Sequence, residues 1–185
     1  ADVFLVRGVV AFRPFKSLEV GGRFGFGTTD APGTSEDGSG ATDLDAYGKW
    51  VFANVSQDLD FTAGLLVTIP TGDDAVGLGF DAFSSQAFGG VRYHLDSVVL
   101  GGHLGVRFNG DGSFQGNKLT GKTSFEMGVS ALFPLANHVS LVGEFQIETD
   151  RFEHVDAATQ LLVGANWRAC GRGMFRGAVA GGLTD

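Results

Sequence analysis

Ten stretches of this chain alternate apolar and polar residues with a period of two, and none carries a sustained helical period. The clearest is KTSFEMGVSALF, residues 122–133. Thr123, Phe125, Met127, Val129, Ala131 and Phe133 share one parity there, while Lys122, Ser124, Glu126, Gly128 and Ser130 share the other. Successive side chains of a strand point to opposite faces, so each such stretch makes one apolar wall and one polar wall. The other apolar parities run Phe4/Val6/Val10/Phe12, Val20/Phe24/Phe26, Trp50/Phe52, Phe61/Ala63/Leu65/Val67/Ile69, Phe83/Ala87/Val91/Tyr93, Leu100/Leu104/Val106/Phe108, Leu141/Phe145/Ile147, Leu161/Val163/Ala165/Trp167 and Phe175/Val179/Leu183. Gly, β-branched and aromatic residues dominate them, which favours strand over helix. The chain reads as all-β, in one domain spanning 1–185 with no linker.

Two environments produce such walls. In a soluble sandwich or lipocalin-like barrel the apolar wall packs a core; in a barrel that crosses a bilayer it faces lipid, and the polar wall faces a lumen. Three features favour the second. Each stretch has about the nine to eleven residues that a tilted strand needs to cross a bilayer. Short connections at 13–17, 56–60, 96–97, 134–138 and 169–173 alternate with long ones at 29–43, 70–82, 109–121 and 149–157, the pattern of an up-and-down antiparallel barrel with short turns at one end. Finally, the polar parity mixes long charged residues with glycine, drawing on 30 Gly among 185 residues, which suits a narrow interior better than a broad wet surface. The expected lumen-lining residues are Arg7, Glu19, Arg23, Lys49, Arg92, His103, Arg107, Lys122, Glu126, Glu144 and Arg176. The expected lipid-facing residues include Trp50, Phe125, Met127, Val129, Phe133, Leu161 and Trp167. Phe12, Tyr93, Phe133 and Trp167 beside short turns, and Phe26, Phe83 and Phe108 beside long loops, read as two aromatic girdles.

Over its whole length the chain resembles bacterial outer-membrane β-barrels. LLVTIPTGDDAVGLGF (65–80), a strand running into a Gly-rich loop, is similar to the outer-membrane transporters grouped under the phenol-degradation meta-pathway name and to the barrel halves of outer-membrane protein A relatives. The first resemblance implies a narrow channel for small solutes, and the second implies an envelope anchor whose lumen is closed by Arg–Glu pairs. Such barrels end on an aromatic strand, whereas this chain ends in GGLTD, and both of its ends fall on the long-loop side. The expectation is therefore an incomplete barrel: about ten strands of a twelve-stranded parent, with one more strand needed before and one after.

Chemistry is sparse. His94, His103, His138 and His154 form no ligand pair at metal-binding spacing, so no metal or cofactor is expected. His154 beside Glu153 and Asp156 lacks the second acidic pair that a protease site would need, and no catalytic residue is assigned. GRFGFG has no following helix and is not a nucleotide loop; NGDGS (109–113) reads as a tight turn rather than a calcium loop. Cys170 is single and has no adjacent His to activate it. Acidic residues crowd the long loops, among them Asp30, Glu36, Asp37, Asp43, Asp73, Asp74 and Asp111. They make nucleic acid a poor partner and favour divalent cations bridging lipopolysaccharide. The polar wall carries eight bases, the lumen cations above plus Arg168, against Glu19, Glu126 and Glu144. That excess predicts either a plugged lumen completed by further carboxylates or a wet one that prefers anions.

Overall fold

The computed structural model describes residues 2–30, 38–56, 58–170 and 173–182. Four strands lie within the first third of the chain: β1 (Asp2–Phe15), β2 (Leu18–Asp30), β3 (Gly38–Ala41) and β4 (Leu44–Ser56). They are followed by β5 (Leu59–Ile69), β6 (Ser84–His94), β7 (Val99–Asn109), β8 (Gly112–Phe114) and β9 (Asn117–Leu119). The chain closes with β10 (Thr123–Ala136), β11 (Val139–Glu148), β12 (Ala158–Cys170) and β13 (Gly173–Gly182). The ten long strands pair antiparallel with their sequence neighbours, and β1 pairs with both β2 and β13. The β1–β13 register runs from Leu5↔Ala180 to Phe12↔Gly173, so the sheet closes on itself. The expectation that closure needs two further strands is thereby corrected: ten strands make the ring. The short β3 pairs with the upper part of β2, where the β2–β4 pairing has already ended.

Burial is inverted relative to a water-soluble fold. The least accessible residues include Glu19, Gln86, Ser84, Ser124, Arg107, Glu126 and Asn166, whereas Phe4, Phe24, Leu65, Leu104, Val163 and Phe175 stand exposed. A soluble domain does not expose a contiguous apolar belt of this extent. The apolar parity therefore faces outward around the ring, and the sandwich or lipocalin-like alternative fails. Trp50, Phe125, Met127, Val129, Phe133, Leu161 and Trp167 all lie on this outer wall, with Val129 at 60% exposure. Near the short turns Trp167 stacks on Phe175 across β12 and β13, ring centroids 5.9 Å apart. Leu183 and the side chain of Cys170 lie outside the described residues.

The inner wall solves a crowding problem by pairing large with small. Arg7 faces Gly25 and Ala178, Lys49 faces Gly64, Arg92 faces Gly101, His103 faces Gly128 and Glu126 faces Gly105. A Cβ on Gly128 would occupy the space of the His103 ring, and one on Gly21 would meet the Tyr47 phenol. These two glycines are there for close approach, since a long side chain from the neighbouring strand lies flat across each of them.

Candidate functional site: the barrel interior and its two mouths

At the middle and upper levels, toward the long loops, polar side chains form a belt. Arg23 pairs with Asp45 at 2.5 Å, and Asp45 also accepts a bond from the Thr68 hydroxyl. The Arg107 guanidinium, only 4% exposed, donates to Thr68 (3.2 Å), Gln86 (2.8 Å) and Glu126 (3.3 Å), and its Nε stands 3.1 Å from Glu148. Glu126 also meets His103 Nε2 at 3.2 Å, and Glu148 accepts from Ser124 at 3.0 Å. One arginine thus ties five successive strands, β5, β6, β7, β10 and β11. Lower down, Arg176 pairs with Glu144 at 3.6 Å and donates to Asn166. Each of these contacts joins strands that are adjacent or separated by one, so the pairs run around the wall rather than across the bore.

Two cavities of about 280 Å³ each occupy the interior. The upper one lies toward the long loops and the lower one toward the short turns, and Arg23 and Gln146 line both. At about 30 Å³ per molecule, each has room for some nine waters.

The short-turn mouth is bordered by two charge clusters. Glu19, almost fully buried, accepts from Arg13 (2.9 Å), Lys49 (2.7 Å) and Tyr47 (3.2 Å). Asp60 lies 3.0 Å from Arg92 and 2.8 Å from His94.

The long-loop mouth is covered instead by an aromatic lid. Phe80 from the 70–83 loop, Phe114 from the β8–β9 hairpin and Phe152 from the 149–157 loop pack together, with Phe80 ring centroids 5.3 Å from Phe114 and 5.0 Å from Phe152. Phe152 is completely buried. The Arg151 guanidinium lies over Phe80 and Phe152, 5.1 and 5.6 Å from their centroids, and its burial there lowers it from the ordinary arginine value while Glu148 opposes the change. Loop carboxylates hold the lid down. Asp43 accepts from the Gly72 and Phe80 amides, Asp74 from the Ser113 hydroxyl and Asp111 from the Gly121 amide.

Several expectations need correction. Lys122 sits at the rim, 44% exposed and paired with Asp150, because β10 begins only at Thr123. Arg168 is likewise exposed near the short turns. The expected positive excess disappears, because Asp45, Asp60 and Glu148 belong to strands and point inward, whereas from the sequence Asp60 falls in the 56–60 connection and Asp45 and Glu148 fall between the alternating runs and the loops. Inward Arg7, Arg23, Lys49, Arg92, Arg107 and Arg176 are equalled in number by Glu19, Asp45, Asp60, Glu126, Glu144 and Glu148, although Arg107 holds two of these carboxylates and Arg7 none. NGDGS is not the turn of its loop. The turn falls at Gln115 and Gly116, whose φ values of 50° and 77° suit the two central positions of a primed hairpin turn. Several loop carboxylates thought to form an acidic solvent rim are hydrogen-bonded within the lid. Among the described residues, no three His, Cys, Asp or Glu converge as a metal centre.

No protein-family model and no curated protein matches the chain. Its fold is similar to the crystal structure of an outer membrane channel from Pseudomonas putida, at a TM-score of 0.62 and 11% identity, covering 98% of this chain and 95% of that one. At that identity the likeness is one of fold.

Proposed function

We propose that this protein is a bacterial outer-membrane barrel that acts as a narrow, non-enzymatic channel for small solutes. Lipid and lipopolysaccharide would cover its apolar outer wall. The observation that carries the reading is the course of the polar pairs: they follow the wall and leave two chambers in line, meeting at Arg23 and Gln146. The solved barrel of similar fold is an outer membrane channel, which supports the same reading. With inward strand cations and carboxylates equal in number, selectivity between small cations and anions should be weak, in contrast to the anion preference that the unequal count predicts.

The rival is a structural barrel of the outer-membrane protein A type. It draws on the density of the Arg107 network, since a buried guanidinium holding two carboxylates is how a closed lumen would be stapled. Reconstitution in a planar bilayer separates the two. A channel gives discrete conductance steps in potassium chloride with reversal potentials near zero across a salt gradient. Silence in both salt and voltage, with the folded barrel verified in the same membrane, would favour the anchor.

A further inference from the structure

Four arginines line the upper chamber, Arg7, Arg23, Arg107 and Arg151, and three of them have carboxylate partners at Asp45, Glu126 or Glu148. Arg7 is different. Its one side-chain bond among the described residues runs from Nη1 to the Gln160 amide oxygen at 3.3 Å. Its cross-strand neighbours are Gly25 and Ala178, which leave the guanidinium space on the chamber side. A guanidinium has five N–H donors in a planar fork that fits a carboxylate, so most of this one's capacity faces the cavity. The acids of the chamber do not answer it. Asp45 and Glu148 serve other arginines, Asp43 holds loop amides, and Asp156 is exposed.

Two residues before Arg7 on the same face, Leu5 is buried, and Leu78 and Phe80 descend from the lid beside it. The chamber thus sets an apolar patch next to a cation that no carboxylate among the described residues pairs. It matches a ligand with one anionic end and a compact apolar body. We propose that the chamber beneath the lid is a binding site for a small organic monocarboxylate, its carboxylate on Arg7 and its hydrocarbon against Leu5, Leu78 and Phe80. A cavity of about 280 Å³ has room for a body the size of one aromatic ring, since an enclosed apolar cavity of about 150 Å³ already takes benzene. The inference deepens the channel reading and rests on it only for the view that such a ligand is carried through.

The test is calorimetric titration of the full chain, folded in detergent, with benzoate and with its uncharged isostere benzamide, each corrected against empty micelles. Benzoate should bind about ten-fold or more tightly than benzamide, since the discriminating contact is a charge-assisted bond. Arg7→Gln should weaken benzoate by about the same factor, Arg7→Lys by less, and Lys118→Gln on the exposed β9 should leave it unchanged. Equal binding of benzoate and benzamide, or inorganic phosphate binding as well as benzoate, overturns the proposal without relying on any variant. A barrel that conducts ions but takes up no benzoate overturns the site and spares the channel. One that binds benzoate but never conducts supports the site and removes the channel.

Discussion

The two mouths of the barrel are built on different physics. At the long-loop end, Phe80, Phe114 and Phe152 bury against one another while Asp43, Asp74 and Asp111 hold backbone and hydroxyl groups of the same loops. At the short-turn end the described residues form no lid, and charge clusters around Glu19 and Asp60 lie along the wall. Charge screening leaves apolar packing nearly untouched, whereas partly exposed ion pairs weaken as salt rises and the Debye length shortens from about 8 Å at physiological ionic strength. The lid should therefore behave as a discrete unit that is either packed or open, and the opposite mouth as a rim whose charges respond gradually to salt. Between them the Arg107 belt belongs to neither mouth, being both charged and buried.

The largest effect is expected at that belt. Arg107→Ala leaves Glu126 and Glu148 buried without their shared cation, and breaking a buried pair by removing one partner costs about 3–5 kcal/mol. Urea unfolding in detergent should show the loss; a change below about 1 kcal/mol would mean that water already solvates this level of the bore. Next comes the lid. Phe152→Ala removes a completely buried ring, for which about 3 kcal/mol is expected. The loss should appear as local opening, with faster amide exchange in 149–157 and 112–119 and little change in the strands. If exchange rises equally throughout the barrel, the lid is not a separate unit and the contrast between the mouths collapses. The smallest effect belongs to the short-turn rim. Arg92, whose side chain is 37% exposed, should cost less than about 1 kcal/mol when replaced by Gln, and the difference should fade in high salt. A salt-independent loss as large as that of Phe152→Ala would place the Asp60 cluster in the same class as the lid.

How far the sequence foretold this depends on whether a residue's role follows a period. The strands do, and Phe125, Val129 and Leu161 were legible as outward positions from alternation alone. Closure was not, because no local pattern in β1 or β13 says that these two strands pair. Asp60 falls in the 56–60 connection and Asp45 and Glu148 just outside the loops, because hydropathy does not mark where a strand ends at a carboxylate; the parity of Lys49, Thr62 and Gln146 on the same strands was the signal that could have found them. The lid was the least legible part. Phe80, Phe114 and Phe152 sit in three loops remote in sequence, and only the tertiary fold brings them into contact. Lys122 shows the opposite error, for it keeps the polar parity of β10 but stands one residue outside the strand.

The central claim is that the apolar wall meets lipid and the polar wall lines a wet bore. It is tested most directly at two consecutive residues of β10, Val129 on the outer wall and Ser130 on the lower chamber. A polarity-sensitive fluorophore would be attached through Val129→Cys or Ser130→Cys in a Cys170→Ser background, with the barrel reconstituted in vesicles containing brominated lipid. At position 129 the probe should emit to the blue and be quenched by bromine; at 130 it should emit to the red, escape bromine and be quenched by aqueous iodide. Iodide quenching at 129 together with bromine quenching at 130 would turn the barrel inside out, and would contradict the account at its root.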